Sequence, residues 1–137
     1  MMHILSRLRR DQNGAAVIEM AFALPALIIM MWVIVQLGLV FRAMSGIQHG
    51  LGEGARVATV YSNKTIAQRK TDVRNKITAA VFGIGPGNFQ IDDPAQGTQD
   101  GANYFDLRVT YSQNTDLLLI PGPTINVSRS KRVWISI

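Results

Sequence analysis

The chain has 137 residues, no cysteine, two histidines and a formal net charge of +5. That length holds one domain of ordinary size, and the missing thiols exclude a thiolate metal site, a disulfide framework and a cysteine nucleophile while leaving the compartment open. The positive balance does not mark a nucleic-acid binder: of 14 basic residues, Arg7, Arg9 and Arg10 stand in the head of the chain and most others are scattered. Lys64, Arg69, Lys70, Arg74 and Lys76 do gather on one predicted helix, where a solvated face is preferred over a phosphate-binding one.

The basic head, residues 1–14, ends at Gly14. Glu19 then stands at the head of a stretch, Met20 to Phe41, that carries no charge. A carboxylate deep in a bilayer costs roughly 2.5 to 3.5 kcal/mol even on a mild insertion scale, so something must offset Glu19. A cut after Gly14 would leave a free amine on Ala15, four residues before Glu19, and that amine is a candidate partner.

From Ala15 to Phe41 the chain runs 27 residues, about 40 Å as a helix, where about 20 residues cross a bilayer core. This is long enough to span and longer than the core of a secretory signal, although Ala43-Met44-Ser45 would make a passable signal-peptidase site. The arginines before the segment, against a single Arg42 just after it, predict a cytoplasmic N-terminus and an extracytoplasmic remainder. Pro25 removes one backbone hydrogen bond, and an ordinary kink and a hinge are equally open. Gln36, near the far end, reads as an interhelical hydrogen-bonding residue rather than part of a pore.

Past Arg42 the preferred reading is a continuing helix, with a flexible glycine linker as the alternative. Gly46, Gly50, Gly54 and Ala58 recur every fourth residue and so share a ridge, beside a second ridge of Ile47, Leu51 and Ala55. Small residues at this spacing let a second helix approach closely, and the ridge predicts a tight helix neighbour, another subunit being one candidate. Each glycine costs a helix about 1 kcal/mol, so packing would have to stabilise it.

Ile66, Val73, Ile77 and Val81 form one stripe of a helix from Thr65 to Phe82, stopped by Gly83-Ile84-Gly85-Pro86-Gly87. A weak strand is expected over 88–92. Phe105, Leu107, Val109 and Tyr111 alternate with polar residues as a strand, and Ile125, Val127, Val133, Ile135 and Ile137 share one parity in another. Arg129 and Lys131 interrupt that parity, as a bulge, an overrunning strand or an edge defended by charge. Leu117-Leu118-Leu119-Ile120 meets a turn at Pro121-Gly122-Pro123 and reads as core, its tip being a candidate contact with membrane or partner.

The chain offers little for catalysis. His3 lies in the basic head and His49 stands alone, so neither a metal cluster nor a histidine-centred triad assembles. Asp92, Asp93, Asp100 and Asp106 fall in a polar segment read as a loop, without the ligand spacing of a calcium loop. The glycines at 83, 85 and 87 lack the Lys-Ser or Lys-Thr of a phosphate loop. No enzyme, metal or cofactor is expected.

Gly14 followed by four residues and Glu19, the run Glu19-Met20-Ala21-Phe22-Ala23-Leu24-Pro25, and Gly54-Ala55-Arg56-Val57-Ala58 together resemble the TadE-like family of pseudopilins from Tad (Flp-type) pilus systems. The resemblance is strongest over residues 10 to 60, and Met20 stands where the family usually has phenylalanine. It implies an inner-membrane precursor cut by a prepilin peptidase between Gly14 and Ala15, after which the Ala15 amine pairs with Glu19 in the same helix or a neighbouring subunit. It also implies a minor pilin acting with the major Flp pilin, a partner pseudopilin and the Tad inner-membrane assembly machinery in pilus assembly, adhesion and secretion, with no nucleic acid involved.

The expected fold class is α+β: a long N-terminal transmembrane helix continuing outside the membrane, a second amphipathic helix and a small antiparallel sheet. The expected division is a basic leader at 1–14, a transmembrane helix at 15–41 and an extracytoplasmic TadE-like domain at 42–137, too short for the extra domain of longer relatives. Two readings of other classes stand beside it. One is an uncleaved single-pass membrane protein with an extracytoplasmic binding domain; the other is an exported enzyme released near Ser45.

Overall fold

The computed structural model describes residues 13–60, 63–116 and 120–136. Its first element, α1, runs unbroken over Asn13–Val60, 48 residues with Pro25 inside, about 70 Å of helix. The continuous helix, rather than the glycine linker, is therefore what forms past Arg42. From Val40 onward its inner face follows helical spacing, with Val40, Ala43, Ile47, Leu51, Ala55 and Ala58 buried.

The second helix, α2 (Ile66–Val81), starts at a capping box. The Gln68 amide donates to Thr65 Oγ1 at 3.4 Å and the Thr65 amide donates to Gln68 Oε1 at 3.1 Å, so each end of the motif satisfies an amide the helix leaves free. It stops where Phe82 turns extended and Gly83 takes φ 72°. Val73, Ile77 and Val81 are buried as the stripe predicts, and so is Arg69.

Arg69 corrects the reading of a solvated basic face. Only 1% of its surface is exposed. Its Nη2 donates to the Ala58 carbonyl at 2.8 Å and its Nη1 to the Ser136 carbonyl at 2.9 Å. Ala58 lies in the last turn of α1, whose carbonyls have no partner within the helix and carry the negative end of its dipole. One guanidinium thus ties the end of the long helix to the end of the sheet. The spacing held the signal, since Arg69 lies three residues after Ile66 and four before Val73, on the stripe.

Among the described residues four strands follow: β1 (Asn88–Ile91), β2 (Ala95–Gln99), β3 (Ala102–Asp116) and β4 (Pro121–Ile135). All pair antiparallel to the central β3, with β4 along one edge, and β1 and β2 end to end along the other. The break between β1 and β2 falls at Pro94, which has no amide to give the ladder. The odd-numbered side chains of β3, Phe105 to Gln113, are buried toward the helices. Burying a large apolar side chain fully contributes about 1.5–3 kcal/mol, so Phe105, Leu107, Val109 and Tyr111, with α2's stripe and the inner face of α1, form the main core.

β2 lies in the segment read as a loop, and is a correction. Asp100 and Gly101 have φ of 53° and 78°, the pair of positive angles that a two-residue hairpin turn of the primed type requires and that Asp-Gly supplies. The strand escaped periodicity because both its faces are polar and largely exposed. Two of the four aspartates of that segment form ion pairs, each with a different arginine: Asp93 with Arg74 at 2.9 Å, Asp106 with Arg132 at 2.8 Å. The hydrogen bond from Arg132, opposed by desolvation, holds the Asp106 carboxyl below its ordinary range. Arg132 also reaches Gln99 Oε1 at 2.9 Å and lies 4.0 Å over the Tyr104 ring, joining β2, β3 and β4 on the outer face.

Arg129 and Lys131 sit opposite Val109 and Leu107 in unbroken register, so no bulge occurs there; the one irregularity falls at Asn114/Asp116. They are exposed residues of an edge strand, where charge opposes pairing with other chains. Residues 117–119 of the apolar run, residues 1–12 of the expected leader and Ile137 lie outside the described residues.

Candidate functional site

The helix α1 divides at Trp32. Residues 14–31 are all exposed, and burial by the rest of the chain begins at Trp32. Phe22 is 77% and Val17 68% exposed. The helix is long and apolar enough to cross a membrane, with mean hydropathy 2.4 in its most apolar window and only 6% of that window buried. A core helix of a soluble domain would be mostly buried. Here the domain covers the other half and leaves this one bare.

Gly14 and Ala15 lie in the first turns of this bare half, and a side chain at Gly14 would meet open space. Glu19 follows Ala15 by one helical turn, exposed and without an ion-pair partner among the described residues. The spacing lets an amine at Ala15 reach the Glu19 carboxylate of the same helix at i, i+4, or the carboxylate of an adjacent helix.

Gly46, Gly50 and Gly54 face α2 and the loop after it. A Cβ on Gly46 would lie 2.7 Å from Ile84 Cδ1, on Gly50 3.1 Å from Val81 Cγ1, and on Gly54 2.6 Å from Ile77 Cγ1. The tight neighbour is therefore this chain's own α2 segment. Ala58 is buried at the end of the same ridge, beneath Arg69. Gly52, off the ridge, has nothing within 4 Å.

A polar chain unsuspected from the sequence joins α1 to β3 and to the segment before β1. The Gly87 amide donates to the Tyr111 hydroxyl at 3.1 Å, which donates to Gln113 Oε1 at 2.6 Å. Gln113 Nε2 donates to Gln36 Oε1 at 2.9 Å, and Gln36 Nε2 to Asp116 Oδ1 at 3.4 Å. Trp32 Nε1 donates to the same carboxylate oxygen at 2.7 Å and is 3.2 Å from the Asp116 carbonyl oxygen. Gln36 thus bonds to the sheet of its own chain rather than to another helix. Gln36 alone was singled out from the sequence; the signal for Trp32 was its place one turn before Gln36, and nothing in the spacing pointed to their partners on β3.

Among the described residues, no three histidine, aspartate or glutamate side chains gather into a metal site. What the geometry defines is an α+β protein with a bare apolar helix, long enough for a membrane, and a small domain packed on that helix's far half. Residues 14–56, most of α1, match the family model described as TadE-like protein. No curated protein and no solved structure matches the chain.

Proposed function

We propose that the chain is a TadE-like minor pilin or pseudopilin of a Tad (Flp-type) pilus. It is made as an inner-membrane precursor with a cytoplasmic N-terminus, cut by a prepilin peptidase between Gly14 and Ala15, and used with the major Flp pilin and a partner pseudopilin. The observation that carries the reading is the head of α1: the family match begins at Gly14, and Glu19 stands one turn beyond Ala15 on a helix the domain leaves uncovered. Glycine before the cut adds no side chain to a narrow protease cleft. The new ammonium neutralises a carboxylate that is otherwise costly in an apolar setting. The role is non-catalytic, the chain being itself a substrate.

Pairing of the amine with Glu19 of a neighbouring subunit would set register during assembly, because a slipped subunit leaves a carboxylate unpaired among apolar side chains. Glu19→Ala is expected to leave cleavage largely intact and to reduce piliation at least tenfold. Immunoblots of precursor and mature protein, with counts of surface pili in the native host, read both. Normal piliation by the variant would refute the register role.

A further inference from the structure

We propose that the hydrocarbon core of the bilayer ends at Trp32 rather than at Arg42, and that Asp116 and Ile120, where β3 ends and β4 is about to begin, stand in the headgroup layer beside it. This rests on the membrane reading above, but not on cleavage or on the pilus.

Two independent observations meet at Trp32. The first is length. The uncovered segment 14–31 has 18 residues, all exposed, about 27 Å of helix, and a hydrocarbon core is about 30 Å. The whole run to Phe41 overshoots that core by about 10 Å. The second is chemistry. Immediately past the bare segment the helix meets Trp32, Gln36, Gln113 and Asp116, joined to one another by hydrogen bonds. A tryptophan whose ring is apolar and whose N–H is bonded to a polar partner suits the interface of a bilayer. A carboxylate accepting from Trp32 and Gln36 is far less costly there than six or so residues deeper in hydrocarbon.

The opposite face of the helix stays apolar beyond Trp32. Ile34, Leu37 and Phe41 fall at i, i+3 and i+7 and are 61%, 46% and 64% exposed. Trp32 to Phe41 rises about 14 Å along the helix, so the stripe stands at and beyond the headgroup level if the core ends at Trp32, and in lipid if the core reaches Phe41. Ile120, just before β4 and 65% exposed, is the apolar side chain brought toward the level of Trp32.

Depth-dependent fluorescence quenching tests this on the full chain in phosphatidylcholine vesicles, with nitroxides either near the acyl carbonyl or near the methyl end. W134F leaves Trp32 as the only tryptophan, excited selectively at its red edge; W134F/W32F/L24W moves it to position 24. If the core ends at Trp32, Leu24→Trp is quenched more by the deep label and Trp32 more by the shallow one, with at least a twofold difference in their deep-to-shallow ratios. A span of 15–41 has its midpoint at Ile28, four residues from each position, so equal ratios would overturn the proposal. Quenching of neither fluorophore would remove the membrane reading itself, and the proposal with it. The chain has no cysteine, so I120C carries a single fluorescent label. Quenching of that label by the shallow nitroxide supports the placement of Ile120, and its absence contradicts it.

Discussion

Gly54→Leu is expected to destabilise the folded domain by about 3 kcal/mol, the upper part of the range for overfilling a packed core. The cause is distance. The first added carbon already falls 2.6 Å from Ile77 Cγ1 and 2.7 Å from its Cδ1, with Leu107 Cδ1 at 3.5 Å behind, and leucine brings three more. Ile77 is 1% exposed, so it has no room to retreat, and α2 must move away from α1. Gly52→Ala is the matched control. It lies in the same helix with nothing within 4 Å, and relief of glycine's helix penalty should stabilise the chain by about 0.8–1 kcal/mol. Thermal melts of the full chain in detergent, followed by near-ultraviolet dichroism, should separate the two variants by well over 10 °C, since 1 kcal/mol shifts a domain of this size by about 4–8 °C. Equal melting temperatures would mean that the ridge does not face α2.

Arg69→Leu is expected to cost about 3 kcal/mol for a different reason. The variant keeps apolar bulk but leaves the Ala58 and Ser136 carbonyls without the donors they now have at 2.8 and 2.9 Å. A buried acceptor without a partner, as at Ala58, costs about 1–3 kcal/mol, while water can serve the carbonyl of the exposed Ser136. Arg69→Lys should recover only part of the loss, because a single ammonium cannot reproduce the fork that spans both carbonyls. Arg74→Leu removes the same charge from the same helix, but its pairing with Asp93 is solvent-exposed, 53% and 75% for the two side chains, and should cost less than 1 kcal/mol. Similar melting temperatures for the position-69 and position-74 leucine variants would show that Arg69 does not clamp the end of α1.

Where one period dominated, the sequence was readable. The unbroken apolar run, the stripe Ile66, Val73, Ile77, Val81 and the alternation of Phe105 to Tyr111 each became the element expected. The glycine ridge was readable as a packing surface, but not its partner: spacing reports that something approaches closely without reporting what, and here α2 folds back from the same chain. β2 was missed because periodicity sees only strands that bury a face, and this one buries almost none. Its turn residues Asp100-Gly101 were the surviving signal. Arg69 was misjudged because charge was weighed before position on the stripe. The polar chain from Gly87 to Trp32 was out of reach, since it depends on how far β3 extends back along α1, a tertiary fact. The bare half of α1 shows the reverse: its length and hydropathy were plain in the sequence, and the structure adds where the domain's cover begins.

The most direct test of the proposed function is the intact mass and N-terminal sequence of the chain recovered from membranes of its native host, beside the same host lacking its prepilin peptidase. The pseudopilin account predicts a chain beginning Ala15-Ala16-Val17 when the peptidase is present and the uncut precursor when it is absent. A chain retaining Met1 in both would contradict it and leave an anchored domain that is never processed.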